Sequence, residues 1–212
     1  MTRQEGVIKF QLEFRKAPPV ADEILREVNG WRKILHQLGL IGQDPGRYGG
    51  FGYGNISRRL GPARQGHRPF VITGSQTGGF TELTAQHYAR VLACDPKRNL
   101  VKAEGPIRPS SEALTHAMIY DLDRYARSVM HVHSREIWQK AHLLNLPQTR
   151  GRAAYGTPEM AEEVERLFLE ARVKRSRIFV MGGHEDGVVS FGRTAEKAAA
   201  VLLSSLARAS QM

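Results

Sequence analysis

The stretch Val129-Met130-His131-Val132-His133-Ser134 restricts the fold of this chain more than any other. Its alternation of residue types reads as a β-strand. Successive side chains of a strand point to opposite faces, so His131 and His133 share one face. Two imidazoles placed this way can bind one metal ion without backbone distortion, and imidazole suits zinc well. The bland reading of the same pattern is a hydrogen-bonded core histidine beside an exposed one. A catalytic metal site needs a third protein ligand, so a further donor is sought in a distant loop.

The rest of the chain supplies strands and helices around that segment. Residues 7–14 alternate as a short strand that Pro18-Pro19 breaks. A helix is predicted from Ala21 to Leu38, with Ile24, Leu25, Val28, Trp31, Ile34, Leu35 and Leu38 on one face. Gly42 to Gly54 is rich in glycine and reads as a loop, and a strand begins near Gly54-Asn55-Ile56-Ser57-Arg58. Phe70 to Thr73 is the next strand and runs into a second glycine-rich turn, Gly74 to Gly79. Residues 87–94 and 99–103 are strand candidates joined at Asp95-Pro96. Pro109-Ser110-Ser111-Glu112 opens a helix through about Asp121, with Ser110 or Ser111 as its cap. After the histidine strand come a helix over 137–144 and a second from Thr157-Pro158 to about Ala171, capped by the threonine. Strands at 178–181 and 188–191 flank Gly182-Gly183-His184-Glu185-Asp186-Gly187, and a helix over 194–207 follows. This mixture predicts one layered α/β domain over residues 1–212, with helices covering a sheet.

Composition narrows the function classes. The 212 residues are 41% apolar and 25% charged, ordinary for a soluble globular protein. The sequence has no apolar run long enough for a membrane span, and Met1 to Glu5 is not a hydrophobic signal segment. One cysteine, Cys94, allows no internal disulfide, so the expected location is cytoplasmic. The net charge of +10 raises nucleic-acid binding. Yet the densest basic cluster, Arg172 to Arg177, contains no aromatic residue to stack on a base, and no nucleic-acid-binding signature is present. A solvated basic surface accounts for the charge.

Several residues carry chemistry beside His131 and His133. Of the other histidines (His36, His67, His87, His116, His142 and His184), His184 stands out. It lies in a glycine-rich turn whose flexible backbone can bring an imidazole to a buried site; the alternative is a surface turn histidine. Glu112 is expected in the first turn of its helix, where the macrodipole favours a carboxylate, although capping glutamates are common. Ser110 and Ser111 offer hydroxyls and N–H groups at the same helix end, a natural anion site. Asn55 and the Thr77-Gly78 turn add donors of the kind that hold phosphate.

Taken in order, Gly54-Asn55-Ile56-Ser57, Ile72-Thr73 with Thr77-Gly78, Pro109-Ser110-Ser111-Glu112, His131-Val132-His133-Ser134, Tyr155-Gly156-Thr157-Pro158-Glu159, and His184 with Gly187-Val188 resemble the class II aldolase/adducin superfamily. The resemblance covers roughly residues 20–208. Enzymes of that family include fuculose-phosphate aldolase, rhamnulose-phosphate aldolase, ribulose-phosphate 4-epimerase and methylthioribulose-phosphate dehydratase. The resemblance implies a three-layer αβα domain around a largely antiparallel central sheet. It implies Zn2+, or another divalent metal such as Mn2+ or Co2+, on His131, His133 and His184. Glu112 matches the catalytic acid/base, and Asn55, Thr77, Gly78, Ser110 and Ser111 match the phosphate-binding positions. The implied reaction is that of a metal-dependent lyase acting through a metal-stabilised enediolate on a small hydroxy-ketone or sugar phosphate, in a homotetramer.

The match departs from the family pattern in places. Gly52 stands where a threonine is usual. The turn after Thr73 carries an extra residue, so Ser75 or Thr77 fills the hydroxyl position. No tyrosine lies between His133 and Tyr155, where the aldolases carry one that reaches a neighbouring active site. Glu185-Asp186 follows His184 where glycine is usual; these carboxylates either orient a ligand imidazole or face water. The sequence ends at Met212, where a C-terminal tail would complete the aldolase site. The departures weaken phosphate as a substrate group and leave an unphosphorylated hydroxy-ketone or keto acid open. A non-catalytic adducin-like binding or assembly domain is the alternative, against which the three histidines argue.

Overall fold

The structure is a computed structural model that describes residues 6–61 and 69–212; Met1 to Glu5 and His67 lie outside the described residues. In chain order, strand β1 (Gln11–Lys16) leads to helix α1 (Asp22–Gln37), then to a two-stranded ribbon of β2 (Gly42–Gln43) and β3 (Gly52–Tyr53). Strands β4 (Asn55–Arg59), β5 (Phe70–Thr73), β6 (Tyr88–Asp95) and β7 (Leu100–Gly105) precede helix α2 (Ala113–Leu122) and strand β8 (Ser128–His133). Helices α3 (Arg135–Gln139), α4 (Pro158–Leu169) and α5 (Arg172–Ser176) are followed by β9 (Ile178–Val180), β10 (Gly187–Gly192) and α6 (Ala195–Ser210).

Eight strands form one sheet in the order β1-β7-β6-β5-β4-β8-β10-β9. Every pairing in it is antiparallel except β1 with β7. The histidine strand β8 is central, between β4 and β10, and is buried along its whole length. A strand covered on both faces must be apolar or internally satisfied on both, which the two-residue period provides. Val129 packs with Phe70, Ile72, Val189 and Phe191 against α2 and α4. Met130 and Val132 point the other way and pack with Ile56, Val71 and Val188 against α1 and α6. Each fully buried aliphatic or aromatic side chain contributes about 1.5–3 kcal/mol relative to exposure. The three-layer αβα arrangement and the antiparallel sheet agree with the sequence expectation.

Local chemistry explains the helix ends. The Thr157 hydroxyl accepts from the Met160 N–H and Pro158 begins α4, as the sequence predicts. Thr194 caps α6 in the same way through Lys197. Other boundaries shift. The helix predicted over 137–144 is the single turn of α3 followed by non-helical turns, and the helix predicted to Ala171 ends at Leu169. The first strand lies at 11–16 rather than 7–14. In α1 the buried stripe is Leu25, Val28, Arg32 and Leu35, while Ile34 and Leu38 are exposed. Arg32 joins the buried face because its guanidinium finds carbonyl acceptors at Thr77, Gly78 and Thr81.

A second buried arginine fixes α2 on the sheet. Arg59 of β4 donates to the carbonyls of Arg124 at 2.7 Å and Asp123 at 3.1 Å, and also to that of Tyr120. Cations at a helix C-terminus satisfy orphan carbonyls and complement the macrodipole. The clamp holds one end of α2 on the sheet, and Glu112 projects from the other.

Candidate metal centre

The backbone register of β8 aligns its histidines with particular neighbours. His131 lies opposite Asn55 of β4 and Val189 of β10, and His133 lies opposite Gly187. The third imidazole arrives on the tight turn between β9 and β10. There His184 N–H donates to the Met181 carbonyl at 3.1 Å, and Gly187 N–H donates to the His184 carbonyl at 3.0 Å. A Cβ at Gly187 would stand 2.5 Å from Cδ2 of the His184 ring, so a side chain there would displace the imidazole.

The result is a buried cluster of three imidazoles. Nε2 of His133 and Nε2 of His184 are 2.9 Å apart, and one donor nitrogen from each of His131, His133 and His184 falls within 4.8 Å of the others. Burial holds the His131 pKa down at about 4. Burial also holds His133 well below the ordinary histidine value, reinforced by the charges of His184, His131 and Arg47. These rings are therefore neutral at pH 7, the form that binds metals. Two nitrogens on one tetrahedral zinc at ~2.0–2.1 Å stand about 3.3–3.4 Å apart, so a small outward adjustment of the observed pair admits the ion. The His131 ring is fully buried, with its Nε2 turned toward the Glu112 carboxylate. Donor type, burial and spacing fit a divalent ion.

Glu112 adjoins the cluster. Its Oε1 lies 3.9 Å from His131 Nε2 and 3.9 Å from His184 Nδ1, and its Oε2 accepts from the Thr115 hydroxyl at 3.2 Å. The residue itself is the N-cap of α2, not part of its first turn, and it is 1% exposed. Neither serine caps the helix as expected. Instead Ser110 Oγ accepts from the Glu112 N–H at 3.2 Å, one step before the helix, which orients the glutamate backbone.

The sequence reading misses Tyr48 and Tyr53 as wall residues and names Tyr155 only within a motif. Tyr48 and Tyr53 set their rings 4.4 and 5.2 Å from the His133 ring, and Tyr155 sets its ring 4.8 Å from that of His184. Tyr48 and Tyr53 belong to the stretch read only as a loop; aromatic residues among its glycines were the available signal. Asp186, expected either to orient a ligand or to face water, does neither directly. It is buried beside the cluster and accepts from the Tyr48 hydroxyl at 2.6 Å and from Arg47 at 3.1 Å, while Glu185 is exposed. Desolvation and the Asp186 carboxylate push the Tyr48 pKa up, so the phenol stays protonated. His116, on the inner side of α2, is fully buried and shares a 2.7 Å hydrogen bond with Ser57 Oγ.

Two spaces adjoin the centre. A cavity of about 640 Å³ is lined by His133, Arg47, Tyr48, Arg135, Glu185 and Asp186 among others. A second, of about 10 Å³, is lined by Asn55, Thr77, Gly78, Ser110 and Ser111, with Gln76 and Gly6 at its rim. All five candidate anion-binding residues thus converge on one small pocket. There Asn55 Oδ1 has no hydrogen-bond partner among the described residues.

Residues 47–212 match the family model described as Class II Aldolase and Adducin N-terminal domain. No curated protein sequence matches the chain significantly. Among solved structures, an L-fuculose 1-phosphate aldolase superposes with a TM-score of 0.65 at 19% identity, over 91% of this chain and 85% of its own. The L-fuculose-1-phosphate aldolase of Thermus thermophilus gives 0.59 at 21% identity, over 90% of this chain and 92% of its own. A sugar-phosphate aldolase from Thermotoga maritima gives 0.62 at 16% identity, over 89% of this chain and 92% of its own. At these identities the likeness establishes the fold alone.

Proposed function

The chain belongs to the class II aldolase and adducin N-terminal domain family, and on that premise we propose that it is a divalent-metal-dependent lyase, or an epimerase or dehydratase of the same kind, acting on a small hydroxy-carbonyl compound. The single observation that carries this reading is the Glu112 carboxylate 3.9 Å from two of three converging, buried imidazoles. In this reading His131, His133 and His184 hold the ion, with Zn2+ favoured by an all-imidazole set. When bound, the ion supplies Lewis-acid polarisation of a substrate carbonyl.

The protein's own groups do the remaining work. Glu112 moves the proton on the carbon beside that carbonyl, and Thr115 holds the carboxylate in position through its hydroxyl. Asn55, next to His131, offers its amide to a substrate hydroxyl. The Tyr48 and Tyr53 rings cover His133 and keep water from that flank. A homo-oligomer and a cytoplasmic location belong to the same proposal. No described helix is long and apolar enough to cross a membrane.

The test is Glu112→Gln on metal-loaded protein, with retro-aldol cleavage and α-proton exchange followed on a panel of hydroxy-ketones and sugar phosphates. Loss of the general acid/base is expected to lower the rate by about 10²–10⁴-fold with metal content unchanged. An unaltered rate would remove Glu112 from this role.

A further inference from the structure

The small pocket over Ser110 and Ser111 is narrowed by the protein's own atoms. Its volume of about 10 Å³ is room for a single water and not for a tetrahedral anion. The narrowing comes from Gly6 and from Gln76, an exposed residue whose side chain turns back over the pocket. The Gly52 N–H, at the position where this chain lacks a threonine, donates to Gln76 Oε1 at 3.1 Å. The Gln76 amide nitrogen packs so tightly on Gly6 that a Cβ at Gly6 would collide with it. The Ser75 hydroxyl reaches the Gly6 carbonyl at 3.4 Å, and the Thr77 hydroxyl donates to the Gly74 carbonyl at 2.9 Å. The Gly52 N–H and the Ser75 and Thr77 hydroxyls are therefore turned toward the chain itself.

The turn that carries Gln76 is itself constrained. Gln76 occupies the left-handed region at φ +61°, an uncommon place for a residue other than glycine or asparagine. Behind the turn lies the buried guanidinium of Arg32, bonded to the Thr77 and Gly78 carbonyls at 3.1 and 2.8 Å. Its acceptors there are carbonyls, and among the described residues no carboxylate pairs with its positive charge. The pocket thus keeps a field that favours an anion but lacks the space to admit one.

We propose that Gln76 is the specificity-determining residue that denies this pocket to phosphate, so that the substrate is an unphosphorylated hydroxy-ketone or hydroxy-keto acid held in the larger cavity beside His133. The proposal rests on the enzymatic reading above and deepens it by naming the substrate class. Gln76→Gly removes the carboxamide, suits the positive φ, and opens the pocket with Arg32 still behind it. Gln76→Asn also tolerates that backbone but is too short to reach Gly52 as the glutamine does.

The experiment titrates inorganic phosphate into the zinc-loaded full chain by calorimetry and phosphorus NMR, for wild type, Gln76→Gly and Gln76→Asn. Metal content is measured on the same samples. Wild type is expected not to bind, and both variants are expected to gain phosphate affinity of at least about tenfold, or about 1.4 kcal/mol, reversed by adding Ser111→Ala. Phosphate binding by wild type that Ser111→Ala abolishes would overturn the proposal, because the pocket would then be open. Absence of binding in all three proteins would also overturn it, because Gln76 would not be the barrier. Since phosphate binding is read without turnover, failure of the specificity assignment is separable from failure of the lyase reading, which Glu112→Gln tests.

Discussion

His133 and His184 face each other through their Nε2 atoms at 2.9 Å although 51 residues separate them in the chain. One comes from a central strand and the other from a glycine turn, so the contact exists only because β10 pairs antiparallel with β8. At this distance one neutral ring donates its N–H to the other ring's nitrogen, and a shared cation would replace that hydrogen bond by binding both deprotonated nitrogens.

Wild-type protein is expected to carry close to one divalent ion per chain. A ligand present at a thousandfold over its dissociation constant stabilises the fold by about 4 kcal/mol. Zinc should therefore raise the melting temperature, and a chelator should reverse the rise. His131→Ala, His133→Ala and His184→Ala should each lose the ion and the thermal shift together. Elemental analysis and thermal melts with and without zinc check this; a His184→Ala protein that keeps both would remove the turn histidine from the site.

Acid should weaken the metal-free fold in a defined window. Unfolded histidines take up protons near pH 6.5, whereas buried His131 resists protonation until about pH 4. Burial keeps His133 and His116 well below the ordinary value too. The unfolded chain then binds more protons than the folded one, so stability is full above about pH 6.5 and falls as pH drops. The slope is up to about 1.4 kcal/mol per pH unit for each such histidine, and the His131 share ends near pH 4. Denaturant unfolding of chelated protein at successive pH values measures the curve. A flat profile between pH 7 and 5 would contradict burial of neutral rings.

Tyr48→Phe should separate packing from hydrogen bonding beside His133. The ring contact survives, but Asp186 loses its 2.6 Å donor and retains Arg47. A buried acceptor losing a partner costs about 1–3 kcal/mol. Asp186→Asn should be milder in backbone terms, because asparagine tolerates the positive φ of 58° at this position. Chemical denaturation of both variants gives the comparison; an unchanged Tyr48→Phe stability would mean that the hydrogen bond is not formed in solution.

Arg32→Met should disturb the turn that carries Thr77 and Gly78. Three carbonyls, at Thr77, Gly78 and Thr81, lose their donor while methionine fills much of the volume. At about 1–3 kcal/mol for each buried acceptor left unsatisfied, the loss should exceed about 2 kcal/mol in total. Amide exchange should rise at 77–81 before it rises elsewhere. A variant as stable as wild type, with protected amides there, would show that Arg32 is only space-filling.

Much of the architecture was legible because it depends on local pattern. The two-residue alternation of 129–133 gave the histidine strand and its common face, and Thr157-Pro158 gave the start of α4. The ends of α1 were legible, but its buried stripe was not. Hydrophobicity alone ranks Ile34 and Leu38 above Arg32, whereas the fold buries Arg32 because three carbonyls wait for it. The same limit applied to Glu112: its place near a helix start was readable, but its role as the N-cap beside two imidazoles was not.

The sequence by itself determined that His131 and His133 share a strand face and marked His184 on a glycine turn, Glu112 at a helix start, and Asn55, Thr77, Gly78, Ser110 and Ser111 as separate donors, which the family resemblance then joined into one expected site. The individual signals rest on spacing along one segment or on residue chemistry, both of which a linear chain carries, and their grouping rested on the resemblance. Only the tertiary structure decided that Tyr48 and Tyr53 wall His133, that Asp186 is held by Tyr48 and Arg47, and that Gln76 bonds Gly52 and packs on Gly6 beside the small pocket. Those contacts join segments far apart in the chain. They are fixed by strand order and by the close approach of glycine backbones, which no local pattern of residues encodes.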